Sequence, residues 1–139
     1  MQNCNGLITL VARVFLSVIF ISSGINKIFG WEGTAQFMAA KGMFAVPFFL
    51  FMTIVIEVGG GLSVLLGFKA KWGALALALF LVPVTLVFHG FWSFEGMEQK
   101  MQMGNFMKNF ALIGGLLYVH AFGAGSISCD AKCSSGTKE

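Results

Sequence analysis

Charged residues are what this chain has least of: 11% of its 139 residues are Asp, Glu, Lys or Arg, against 57% that are hydrophobic. Mean hydropathy is +0.83. A water-soluble domain of this length needs a polar exterior, and so few charges cannot supply one. Arg13 is the single arginine and the lysines are scattered, so the formal net charge of +3 builds no basic patch interleaved with aromatics. Nucleic acid is therefore excluded as a partner. No basic segment precedes the first apolar run, and Arg13 lies within it, which argues against a cleaved secretory signal. Cysteine is also scarce: Cys4 stands near the start, and the pair Cys129 and Cys133 near the end. Two cysteines alone cannot complete a structural zinc site, so no metal is expected.

Long apolar runs are what the chain does have. Four can be marked, at about 7–29, 45–66, 70–92 and 106–122. Each is long enough for a helix to cross a bilayer core of about 30 Å. The runs are continuous and do not alternate, and a helix satisfies its own backbone groups within lipid, so helices are expected rather than strands. The fold class expected is all-α, an integral membrane four-helix bundle with a short interfacial helix between spans one and two. Residues 1–123 form the membrane domain, and 124–139 a flexible polar tail.

The connections refine this picture. "GWEGTAQFMAAKGMFAVP" (Gly30 to Pro47) has room for the short amphipathic helix, with Phe37, Met38 and Lys41 giving it two faces. Pro47 suits the first turn of span two, and Pro83 is expected to bend span three. "GFKAKWG" (Gly67 to Gly73) is tight and makes spans two and three an antiparallel hairpin. "SFEGMEQKMQMGN" (Ser93 to Asn105) reads as a polar connection with a Met-rich face. Small residues at intervals of four (Ala70, Ala74 and Ala78; Ala111 and Gly115), with "VGGGLS" from Val58 to Ser63, mark close helix packing. Four crossings leave both termini on one side. Lys69, Lys71, Lys132 and Lys138 lie there, and the pair in the tight hairpin favours the cytoplasm.

Against this apolar background the few ionic residues stand out. Arg13, Ser17, Phe20, Gly24 and Lys27 recur at steps of four and three, a single helical stripe. Intramembrane charge normally faces the bundle interior, and Glu57 lies near the middle of span two, too deep to reach headgroups. Arg13 is the expected partner of Glu57, because its fork can bind both carboxylate oxygens, in either a structural or a catalytic role. Spans one and three run in the same direction and span four begins at the level where they end. Lys27, His89, Lys108 and Asn109 therefore lie near one face. His120 lies about 18 Å along span four from Lys108, toward the level of Arg13. Arg13, Glu57 and His120 are the expected intramembrane polar core. Lys27 and Lys108 either snorkel to headgroups or enter a polar pocket shared by spans one, three and four.

The ordered set "ARVFLSVIFISSGINKI" (Ala12 to Ile28), "EVGGGLSVLLG" (Glu57 to Gly67), "HGFW" (His89 to Trp92) and "NFMKNFALIGGLL" (Asn105 to Leu117) resembles the successive motifs of the DoxX family. These are small bacterial inner-membrane proteins of four helices. The resemblance implies fold and placement more than activity; some members and relatives are linked to thiosulfate:quinone oxidoreduction or to membrane assemblies handling thiol oxidants. It carries over no catalytic set. The three residues between Cys129 and Cys133, and their place in the tail, depart from the cysteine pairs of related membrane thiol oxidoreductases.

Three functions compete on these grounds. The first is a redox-associated membrane subunit in which Lys27, His89, Lys108 and Asn109 bind a quinone head group or small anion; quinone is the candidate cofactor and Cys129–Cys133 a candidate redox pair. The second is a scaffold recruiting a soluble or membrane partner through the Met-rich connection and the tail. The third is a solute or proton pathway through Arg13, Glu57 and His120. Expected partners are the lipid bilayer, a redox complex or soluble protein, and a second copy of the chain.

Overall fold

The structure, a computed structural model, describes residues 2–135, and within these the chain is helical without strands. The side chain of Cys4 and the whole of Lys138 lie outside the described residues. Helix α1 runs Gln2–Phe29, α2 Trp31–Ala40, α3 Val46–Leu66, α4 Ala70–Phe88, α5 Gly96–Phe122 and α6 Cys129–Ser135, with a 3-10 turn at Phe91–Ser93 between α4 and α5. Three segments, Asn5–Phe29, Val46–Leu66 and Ala70–Ser93, are long and apolar enough to cross a membrane. The molecule is an all-α membrane fold. Helix α5 is as long, but Lys108, Asn109 and His120 dilute its hydropathy.

Helix α1 packs mainly on α3, α3 also on α4, and α4 on α5, while α1 and α5 meet only sparsely. Small residues set these distances. At Gly24 a Cβ would fall 2.6 Å from Val58 Cγ2, and at Gly61 2.8 Å from Ile21 Cγ1, so α1 and α3 approach nearly backbone to backbone. Gly60 lies equally close to Leu77 on α4. Ala70, Ala74 and Ala78 are buried on α4 with Leu77 and Leu81, against Phe20, Val64, Leu116 and Val119. Gly115 meets Leu16, but Ala111 is exposed, so the expected pair packs at one position only. Large apolar side chains such as Phe15, Phe29, Leu79 and Tyr118 point outward, as lipid in place of water permits.

The short helix anticipated in the first connection is α2. Met38 is buried, Phe37 stacks on Phe88 with ring centroids 5.6 Å apart, and Lys41 lies 5.2 Å from the Phe94 ring centroid. Pro47 occupies the first turn of α3, where its missing N–H has no helical partner to lose, and Pro83 lies inside α4. The third connection differs from expectation. Helix α5 begins at Gly96 rather than near Phe106, because Met, Glu, Gln and Lys are good helix formers and no proline interrupts them.

The tail also differs from expectation. Residues 124–135, expected to be mobile, fold back onto the tight α3–α4 hairpin. Asp130 accepts the backbone N–H of Lys69 at 2.8 Å and of Ala70 at 3.1 Å, while its own N–H donates to the Gly67 carbonyl at 2.8 Å. A carboxylate from a distant segment thus caps the N-terminus of α4, which lacks a capping side chain of its own. Composition alone describes this tail as polar, but its aspartate reaches unpaired donors at the hairpin. Replacing Asp130 by Ala should destabilise the protein by about 1 kcal/mol, whereas Asp130→Asn should retain most of the cap. Thermal unfolding of the two variants in detergent tests this, and equal losses would refute the capping role.

Candidate functional site

Helices α1 and α3 run antiparallel, and their tight contact at Gly24 sets the register of everything polar between them. A Cβ on Gly24 would lie 3.4 Å from Glu57 Cβ, so Glu57 stands beside Gly24. Lys27 is three residues farther along α1, about 4.5 Å at a helical rise of 1.5 Å per residue, within reach of a side chain bent back along the helix. Its Nζ donates to Glu57 Oε2 at 2.9 Å, to Oε1 at 3.1 Å and to Ser23 Oγ at 2.6 Å. Ser23 Oγ lies 3.3 Å from Oε1 and donates to it. Glu57 is 8% exposed and Lys27 24%, so both charges are largely removed from the surroundings.

Arg13, the expected partner of Glu57, is not its partner. It lies eleven residues before Gly24, about 16 Å down α1, at the level of the C-terminus of α3. There Nη1 donates to the carbonyls of Val64 at 3.1 Å and Leu65 at 2.9 Å, and Nη2 donates to the Ile127 carbonyl. The Val64 and Leu65 carbonyls carry the negative end of the α3 dipole, which suits a cation 1% exposed. Its role there is to fasten three segments. His120 is also elsewhere: its Nδ1 donates to the Lys71 carbonyl at 2.9 Å, joining the end of α5 to the start of α4. Arg13, Glu57 and His120 therefore each have separate partners.

Lys27, His89, Lys108 and Asn109, by contrast, are brought together. All four line a cavity of about 170 Å³ that Glu57, Ser23 and Phe20 also border. Asn109 is buried on α5 and donates to Thr85 Oγ1 on α4 at 3.1 Å; Thr85 in turn donates to the Leu81 carbonyl at 2.6 Å. His89, the residue that ends α4, is half-buried, and its Nδ1 lies 2.9 Å from Gln102 Oε1 on α5. Lys108 is exposed and donates to Asn105 Oδ1 at 3.3 Å. A second cavity, of about 190 Å³, lies on the other side of the same groups: Lys27, Glu57 and His89 border it with Thr53, Phe80 and Phe88, and α2 adds Thr34, Phe37 and Met38. The Lys27–Glu57 pair and His89 thus border an aromatic-lined space and a polar one.

Ser23, Gln102 and Thr85 escaped the sequence reading. Ser23 precedes Lys27 by one helical turn, a spacing that marks a local donor–acceptor pair. Thr85 and Gln102 carry no such mark. Their partners are Asn109 and His89 on neighbouring helices, and only helix packing brings them close. Cys129 and Cys133 are four residues apart on α6, both exposed, at the opposite end of the bundle from this site.

The ion pair has a direct energetic consequence. Removing one member of a buried pair leaves the other charge uncompensated, whereas removing both can be nearly neutral. Lys27→Met should therefore lower stability by about 3 kcal/mol, and the double variant Lys27→Met/Glu57→Gln should recover most of that loss. Unfolding in detergent distinguishes the cases; a double variant no better than the single would contradict it.

A family model described as DoxX matches residues 8–90. The inner membrane protein YqjF of Escherichia coli K12 is 40% identical over 122 residues, 87% of this chain and 88% of that one. The inner membrane protein YphA of the same strain is 31% identical over 121 residues, 87% of this chain and 86% of that one. The putative oxidoreductase CatD of Bacillus subtilis 168 is 34% identical over 74 residues, about half of each chain (53% and 54%). No solved structure gives a significant match.

Proposed function

The chain belongs to the DoxX family, and from that premise we propose that it is a redox-associated membrane subunit binding a quinone head group or a small anion at the Lys27–Glu57 site. It is a multi-pass protein of the bacterial inner membrane. Helix α5 serves as the fourth crossing, so the termini share one side. In support, the start of α1, the α3–α4 hairpin and α6 meet at one end through Arg13 and Asp130. Lys69, Lys71 and Lys132 at that end favour the cytoplasmic side.

The observation that carries the functional reading is the Lys27–Glu57–Ser23 cluster, with Glu57 buried and its partners half-buried, beside two small cavities that His89 also borders. Ionisable groups buried within crossing helices are costly and mark functional sites. Cavities below about 200 Å³ are too small for a drug-sized molecule and match a single ring or a compact anion. Phe37, Phe80 and Phe88 offer ring faces, and His89 offers a ring nitrogen for hydrogen bonding. A relative named as a putative oxidoreductase agrees in direction.

Purified protein should bind a short-chain quinone, followed by quenching of intrinsic fluorescence. His89→Ala should weaken binding by about tenfold or more, about 1.4 kcal/mol, as expected for losing a polar contact. Lys27→Ala should weaken it because Glu57 is then left uncompensated in the cavity wall. Absence of binding to the native protein, or binding indifferent to both substitutions, would remove the reading.

A further inference from the structure

Counting hydrogen-bonding capacity around the polar cavity indicates which ligand it can take. An ammonium group has three N–H donors, and those of Lys27 go to Ser23 Oγ and the two oxygens of Glu57. The pair is thus close to neutral as a unit, and Lys27 has no proton left to offer an anion. Asn109 directs one Nδ2 proton to Thr85, leaving its carbonyl oxygen as an acceptor and its second N–H as a donor. Gln102 Oε1 can only accept, so the His89 nitrogen 2.9 Å away, Nδ1, carries the proton. In a neutral imidazole Nε2 is then an unprotonated acceptor, and among the described residues it has no hydrogen-bond partner. The other charged groups bordering this cavity are Glu57, held by Lys27, and Lys108, which is exposed and bonded to Asn105. At His89, which borders both cavities, what the wall offers a ligand is an acceptor.

We propose that Gln102 is a positioning residue: by accepting the Nδ1 proton it holds His89 in the tautomer whose Nε2 is an acceptor, so that the site selects the hydroquinone form of a ring ligand, which donates a hydroxyl, over the quinone form and over small anions. This rests on the quinone reading above and narrows it. Gln102 lies on the first turns of α5, the stretch where sequence composition indicates only a polar connection. The early start of α5 is what carries its side chain to His89. A site that presents Nε2 as an acceptor to a ligand hydroxyl discriminates against an analogue lacking the donor, because two acceptors are then set against each other.

Two measurements on the full chain test this. The first is equilibrium binding, in lipid nanodiscs under anaerobic conditions, of a short-tailed hydroquinone, the corresponding quinone, and sulfate as a probe anion. The native protein should prefer the hydroquinone by about tenfold or more. Gln102→Leu removes the acceptor and should bring that preference close to one, while Gln102→Glu, which still accepts from Nδ1, should retain it. A native preference for quinone or sulfate, or a preference unmoved by Gln102→Leu, overturns the proposal. The second measurement is the nitrogen-15 spectrum of histidine-labelled protein, with the His89 signals identified by their loss in His89→Asn. The proton should sit on Nδ1 in the native protein and in Gln102→Glu, and move to Nε2 in Gln102→Leu; a native proton on Nε2 overturns the positioning role. If the native protein binds neither ring form, the quinone reading falls together with the selectivity claim, and the spectrum alone then decides whether Gln102 positions His89.

Discussion

An ammonium and a carboxylate held together between two closely packed helices are the constraint around which the rest of this molecule is arranged. In a medium that cannot solvate them, Lys27 and Glu57 are tolerable only as a hydrogen-bonded pair, with Ser23 completing the set. That pairing requires α1 and α3 to approach closely, which Gly24 and Gly61 allow. It also fixes their register, since sliding either helix by one turn would separate the charges by about 5 Å. The two cavities follow from this arrangement. Helix α2 closes one side, the sparse contact between α1 and α5 leaves the other, and His89 borders both.

Much of this is legible in the sequence. The near absence of charge dictated a membrane environment, and the continuous apolar runs dictated helices. Connectivity alone grouped Lys27, His89, Lys108 and Asn109 at one level, because parallel spans share their ends; that inference needs no knowledge of register. The partner of Glu57 did need it. Sequence favoured Arg13 on chemical grounds, since a guanidinium matches a carboxylate. The antiparallel register set at Gly24 instead places Arg13 beside the last carbonyls of α3 and gives Glu57 to Lys27. Gln102 stayed hidden for a different reason. A glutamine in a polar stretch is uninformative until α5 is known to start at Gly96 and to pass beside His89.

The two ends of the bundle do different work. At one end, polar groups border open space. At the other, the polar groups are turned toward backbone: Arg13 toward the carbonyls of α3 and Ile127, Asp130 toward the amides that open α4, and His120 toward Lys71. Both ends use ionic side chains in a chain that has few of them. Only the arrangement of partners separates a site from a fastening, since composition at the two ends is much alike.

The fastening by Arg13 carries a temporal consequence. Arg13 belongs to α1, yet one of its acceptors is the carbonyl of Ile127, more than a hundred residues later. While the chain is being made, the guanidinium must rely on lipid headgroups or water for the contact the tail later supplies. The surroundings of Arg13 are therefore complete only once Ile127 has been added and its segment has returned to α1. A ribosome-bound precursor would display an arginine that the mature protein conceals.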